Sequence, residues 1–126
     1  MESEFMDIFC KIIKGEIPCY TIFEDEKVRV IMDVNPRSDG HCLVIPKVHC
    51  QDLYDISDET LSHIMIIGRR MASLLVDKLN CDGVTLEENN GCVQEVKHFH
   101  LHLIPRYQDK ALAQKDVEEV FHKIVD

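Results

Sequence analysis

The sequence predicts an α+β domain: a mainly antiparallel sheet carrying one long helix, with short helices towards each terminus. Three observations point there. Residues 27–33 (KVRVIMD) and 41–47 (HCLVIPK) are apolar runs of strand length on either side of the turn cluster NPRSDG, which suits an antiparallel hairpin. Residues 58–79 carry apolar side chains at three- and four-residue steps. Residues 96–107 (VKHFHLHLIPRY) place large apolar residues between histidines at a period of two.

Taken along the chain, FCKIIKGEIP reads as a short helix stopped by Gly15 ahead of Pro18. The acidic, turn-like patch EDE leads into the first strand of the hairpin. Ser57 is the N-cap of the long helix, and Asp58 and Glu59 lie in its first turn, where the helix dipole favours negative charge. Its apolar face is expected to hold Leu61, Ile64, Met65, Gly68, Met71, Ala72, Leu75 and Leu79, and NCDG ends it. VTLEENNGCV reads as a strand running into a turn at Asn89, Asn90 and Gly91, QEVKHFHLHLIPRY as the final core strand, and AQKDVEEVFHKIVD as an amphipathic tail helix.

With 126 residues, 45% of them hydrophobic, and no repeat or low-complexity linker, the chain is expected to be a single domain over 1–126. A net charge of -9 without any Lys/Arg run argues against wrapping a nucleic acid, which needs clustered cations. No apolar stretch is long enough to span a bilayer. The start, MESEFMDIFCKII, has acidic residues where a signal peptide has basic ones, so a cytoplasmic setting is expected. Cysteines 10, 19, 42, 50, 81 and 92 include no C-x-x-C pair, and in such a setting they are expected to be reduced thiols.

Three of the seven histidines, His98, His100 and His102, stand at two-residue spacing. On a strand they share one face, with α-carbons about 6.5–7 Å apart. Such a row can be the plain polar half of an amphipathic strand, although Lys, Thr or Glu would serve equally. It can present two or three ligands to zinc. It can also perform acid, base or nucleophilic chemistry on phosphate, because imidazole is nucleophilic when neutral and titrates near neutral pH. The surroundings favour phosphate: Asn89, Asn90, Gly91 and Gln94 supply donors just upstream, and no P-loop is present to hold a polyphosphate through magnesium.

The motif HFHLHLIPR, with QEV just before it, resembles the histidine-triad (HIT) family of nucleotide hydrolases and transferases. IFCKIIKGEIP, FEDEKVRVIMDVNPRSDGHCLVIPKVH and ENNG match the family's other segments in order and spacing, so the resemblance spans nearly the whole chain. It implies that His100 attacks the α-phosphorus of a nucleotide, giving a nucleotidyl-histidine that water hydrolyses. His102 and Gln94 would hold phosphate oxygens and the leaving group, His98 would orient the nucleophile, and His41 would stand behind as a fourth histidine. Asp33 would accept the ribose hydroxyls, and Asn89 would lie beside the phosphate, with an Asx turn as its alternative role. Phe9, Ile12, Ile31 and Val34 would wall the base, with core packing competing at each, and Val96 joins the nucleotide-binding positions.

The activity implied is hydrolysis of purine nucleoside 5'-phosphoramidates or related conjugates to a nucleoside monophosphate, by a homodimer needing no metal and no organic cofactor. The alternatives are a dinucleoside polyphosphate (Ap3A/Ap4A-type) hydrolase and a non-catalytic nucleotide-binding interaction module. Two departures from the family pattern stand out. The loop NNGCVQ is short, with Val93 where the family has glycine, and Glu95 replaces a serine that aids an amine leaving group in the eukaryotic phosphoramidase branch. Many bacterial-type members also bind zinc through a C-x-x-C pair, the histidine after IPK and the first triad histidine. Here those positions are Asp7, Cys10, His49 and His98, and with one thiolate no bound metal is expected.

Overall fold

The computed structural model describes residues 7–108 and 114–126; the opening MESEFM and Ala113 of the predicted tail segment lie outside the described residues. Strands β1 (Thr21–Glu24), β2 (Val28–Met32), β3 (Cys42–Pro46), β4 (Gly83–Glu87) and β5 (Leu101–Arg106) form one antiparallel sheet in the order β1-β2-β3-β5-β4. Helices α1 (Ile8–Ile13), α2 (Asp58–Leu79) and α3 (Val117–Val125) complete the fold.

The predicted hairpin is β2–β3, paired from Val28↔Pro46 to Met32↔Cys42. All five residues of β3 are buried because both faces of the sheet are covered. Val28, Val30, Met32, Cys42 and Val44 pack with Ile64, Ile67 and Leu75 of α2, whereas Ile31, Leu43 and Ile45 meet Phe9 and Ile12 of α1. The sequence does not set β1 apart, since TIFE runs straight into the acidic turn. Asp25 makes that turn by accepting from the backbone N–H of Lys27 and Val28, each at 2.8 Å, which folds TIFE back along β2.

Helix α2 spans the predicted residues, with Ser57 Oγ accepting from Thr60 N–H at 3.1 Å and Asn80 closing it in the left-handed conformation. Its buried face is rotated from the expected one: Ile67 is buried and Met65 is 46% exposed. Gly68 sits where a Cβ would lie 3.0 Å from Leu101 Cδ2, so it brings the helix close to β5. Among the described residues no helix is long and apolar enough to cross a membrane, and no disulfide forms.

The final strand starts later than the alternation predicts. A 3-10 turn at Gly91–Val93 is followed by unladdered chain, so His98 and His100 precede β5 and only His102 lies in it. The alternation persists without a ladder. Phe99 is buried in the core under α2, while His98 and His100 face Phe9 on the other side.

The β2–β3 connection is pinned to the end of β5, where Ser38 Oγ donates to the Pro105 carbonyl at 2.6 Å. Gly40, in that connection, has φ +98, and a Cβ on it would clash with Leu79 Cδ1 and lie 3.0 Å from Pro105 Cγ. Gly40→Ala is therefore expected to cost about 2–4 kcal/mol, from left-handed strain plus overpacking. Urea unfolding of both proteins reads this, and a loss under about 0.5 kcal/mol, the size of an ordinary surface change, would mean that the loop relaxes freely.

Candidate active site

The β2–β3 connection, the end of β4 and the triad segment enclose a cavity of about 510 Å³. Asp33, Asn35, Arg37 and His41 line one side, Glu87 and Asn89 another, and Val93, Glu95, His100 and His102 complete it. Of the catalytic candidates, His41, His100 and His102 thus meet at one cavity. His98 lies behind, with its side chain wholly buried.

The ring protons follow from the partners. His100 Nδ1–H donates to the His98 carbonyl at 2.8 Å, so in the neutral ring Nε2 keeps its lone pair. The Arg37 backbone N–H donates to His41 Nδ1 at 3.0 Å, which leaves the His41 proton on Nε2. That Nε2–H donates to His102 Nδ1 at 2.9 Å, so the His102 proton is on Nε2. The cavity therefore holds one imidazole with an available lone pair and, with ring centroids 4.8 Å apart, another that acts as a donor. Burial lowers the pKa of His41 to about 4, helped by the Arg37 charge, and lowers that of His102 to about 4, helped by His100 and His41. Both rings are neutral at pH 7.

Asp33 Oδ1 accepts from Asn35 N–H at 2.8 Å, and its Oδ2 lies 3.5 Å from His41 Nε2. Asn89 lines the cavity and donates to Glu87 Oε2 at 3.1 Å. Gln94 is held differently from a cavity-facing donor. It is buried, its Nε2 donates to the Gln51 carbonyl at 2.5 Å, and its Oε1 is buried with no partner among the described residues. Phe9, Ile12, Ile31 and Val96 gather in one apolar cluster, with Phe9 edge-on to His100 at 4.9 Å. Val34 is 68% exposed beside Asp33.

Three lining residues, Asn35, Arg37 and Glu87, carry no site signal in the sequence. Arg37 grips Glu87 through two hydrogen bonds, Nη1 to Oε1 at 3.2 Å and Nη2 to Oε2 at 2.8 Å. These bonds, with the one from Asn89, hold the Glu87 carboxyl down at about 2. In the sequence Arg37 is one member of the turn cluster, and no local pattern joins it to a strand residue that far along the chain.

A second histidine cluster lies behind the first. Donor atoms of Asp7, Cys10, His49 and His98 all lie within 4.8 Å of one another. Asp7 Oδ2 is 3.1 Å from His49 Nδ1 and 3.2 Å from His98 Nδ1, and Cys10 Sγ is 3.5 Å from each of those nitrogens. A tetrahedral metal with bonds of about 2.0–2.3 Å has ligand separations of about 3.3–3.8 Å, close to these values. His98 Nε2–H donates to the Pro46 carbonyl at 2.8 Å, so Nδ1 of the neutral ring turns a bare lone pair towards the Asp7 carboxylate. Two acceptors so close need a cation between them. Burial pushes the His98 pKa down and disfavours a proton in that place, so the four residues fit a divalent transition metal.

An imidazole lone pair fixed by a main-chain carbonyl, beside a donor imidazole in a polar cavity on an antiparallel sheet, defines a histidine-triad site. The chain belongs to the HIT family: the model of the HIT domain matches residues 14–109. It is 42% identical over 106 residues to adenosine 5'-monophosphoramidase HNT1 of Saccharomyces cerevisiae, covering 82% of this chain and 65% of that one. It is 41% identical over 128 residues to a HIT-like protein of Methanocaldococcus jannaschii, covering 94% and 98% of the two chains. The solved structure of a Zn-bound histidine triad family protein from Mycobacterium smegmatis superposes with a TM-score of 0.87 at 37% identity, covering 93% of this chain and 88% of that one.

Proposed function

We propose that the protein hydrolyses purine nucleoside 5'-phosphoramidates or related nucleotide conjugates at the α-phosphorus, through a nucleotidyl group carried on His100. The observation that carries this reading is the fixed tautomer of His100, whose Nδ1–H is held by the His98 carbonyl and whose Nε2 lone pair is left to attack. The phosphoramidase name borne by a relative at 42% identity supports it.

In the first step His100 Nε2 forms a bond to phosphorus as the bond from phosphorus to the leaving nitrogen breaks, and the amine departs with a proton. The leaving nitrogen takes that proton from solvent; neutral His102 holds a phosphate oxygen or the leaving group through a hydrogen bond from Nε2–H, and His41, held by the Arg37 amide, supports that tautomer. Water then attacks phosphorus and releases its proton to solvent, balancing the one taken up by the amine, as the N–P bond breaks and the nucleoside monophosphate leaves. Asp33 accepts the ribose hydroxyls, Asn89 and Gln94 serve the phosphate, and Phe9, Ile12, Ile31, Val34 and Val96 wall the base. For Gln94 this requires its amide to leave the Gln51 carbonyl. No metal takes part in these steps; Asp7, Cys10, His49 and His98 would hold one as a structural tie beneath the triad.

We read the protein as a homodimer, supported by the edge position of β4, the 41% exposure of its Leu86, and the exposed Met65, Ile66 and Val76 of α2. Six cysteines kept as thiols support a cytoplasmic setting.

The test compares initial rates on adenosine 5'-phosphoramidate with those on diadenosine tri- and tetraphosphate, with and without chelator. Faster, chelator-resistant release of AMP from the phosphoramidate is expected. A preference for the polyphosphates reassigns the activity, and AMP binding without turnover of any substrate sinks the enzymatic reading.

A further inference from the structure

We propose that the Arg37–Glu87 ion pair sets leaving-group specificity, by withholding the cavity's guanidinium from anionic chains so that amines are accepted and polyphosphates are disfavoured. This rests on the reading of the site as a hydrolase acting at the α-phosphorus.

Among the described residues lining the cavity, Arg37 is the only lysine or arginine, and it faces three carboxylates: Asp33, Glu87 and Glu95. With His41 and His102 neutral, the lining is net negative. A polyphosphate leaving group adds charges of the same sign, and its natural partner would be a bidentate guanidinium. Here that fork is already filled by Glu87 at 3.2 and 2.8 Å. Releasing Arg37 would break both of these charge-assisted bonds, and the Glu87 carboxylate is held in place to receive them by Asn89 at 3.1 Å. Glu87 also stands opposite His102 in the β4–β5 ladder, which puts this charge beside the donor that faces the leaving group. An amine that leaves protonated gains from the same carboxylates that repel phosphate.

The pair is separable from the proton arrangement. Arg37 supports His41 through its backbone N–H, which a side-chain substitution keeps. Glu87→Gln retains shape and an acceptor for Arg37 while removing the negative charge.

The experiment measures kcat/KM for adenosine 5'-phosphoramidate and for diadenosine triphosphate across a range of salt, in wild type, Glu87→Gln and Arg37→Gln. The Kd ratio of ATP to AMP is measured in the same proteins, as a charge readout that needs no turnover. Glu87→Gln is expected to raise the triphosphate-to-phosphoramidate ratio by about tenfold or more and to tighten ATP relative to AMP, whereas Arg37→Gln moves both ratios the opposite way. Salt should speed the wild type on the triphosphate by screening repulsion, and should speed Glu87→Gln less, because one of the three lining carboxylates is gone. A merely structural pair would change both substrates together and leave the size of the salt effect alone. Ratios that stay within about twofold in both variants overturn the proposal. A wild type that prefers the triphosphate overturns the phosphoramidate reading instead, and the shift between variants still decides the role of the pair.

Discussion

Replacing His100 with alanine is expected to lower turnover of adenosine 5'-phosphoramidate by about 10⁴-fold or more, as losses of covalent nucleophiles do. The size follows from the absence of a substitute among the described cavity residues. His41 spends Nδ1 on the Arg37 amide and Nε2–H on His102, and His102 accepts at Nδ1 and carries its proton at Nε2. Neither offers a lone pair to phosphorus without rearranging the chain of hydrogen bonds. AMP affinity should change by only a few fold, since Asp33, Asn89, the apolar wall and the donor His102 all remain. Quenching during turnover and weighing the intact protein should reveal one nucleotidyl group on the wild type and none on the variant. A variant that keeps its rate would mean that water attacks directly and that the row serves only to bind.

The sequence made this site legible to the extent that its chemistry is local. The histidine row and the bounds of α2 are visible because each rests on short-range spacing, a period of two and a capped run at helical steps, whereas Asp33 stands out only through the family resemblance. What escaped depends on tertiary pairing. The late start of β5 comes from the 3-10 turn at Gly91–Val93, which leaves His98 and His100 outside any ladder. The choice of Ile67 over Met65 for the buried face of α2 is set by how the helix lies across β5, which periodicity alone leaves free by about a residue. Arg37 and Glu87 lie 50 residues apart and meet only because β3 and β5 bring the connection after β2 beside β4. The Gln94 amide, turned onto Gln51, reflects the compact loop NNGCVQ, whose shortness was visible but whose path was not.

Stripping metal is expected to lower the melting temperature by about 10–15 °C, on the basis of about 3–4 kcal/mol from a metal held at 100 to 1,000 times its Kd. The four donors come from three separate segments: Asp7 and Cys10 at the start of α1, His49 after β3, and His98 before β5. No such set exists in the unfolded chain, so binding free energy becomes folding free energy. Asp7 already caps α1, its Oδ1 accepting from the Cys10 N–H at 2.8 Å, so a metal on Oδ2 would tie that helix to the floor of the triad. Turnover should nevertheless persist in the stripped protein at temperatures where it stays folded. His98 remains held through Nε2–H by the Pro46 carbonyl, and it is the main-chain carbonyl of His98 that orients His100. Elemental analysis of the purified protein, with melting curves before and after chelation, tests the first half, and initial rates on the same samples test the second. Cys10→Ser removes the one soft ligand and should reduce both metal content and melting temperature. If no metal copurifies and chelation leaves the melting curve in place, protons on the cluster replace the cation. If the rate instead falls in step with metal content, the metal does more than tie the segments together.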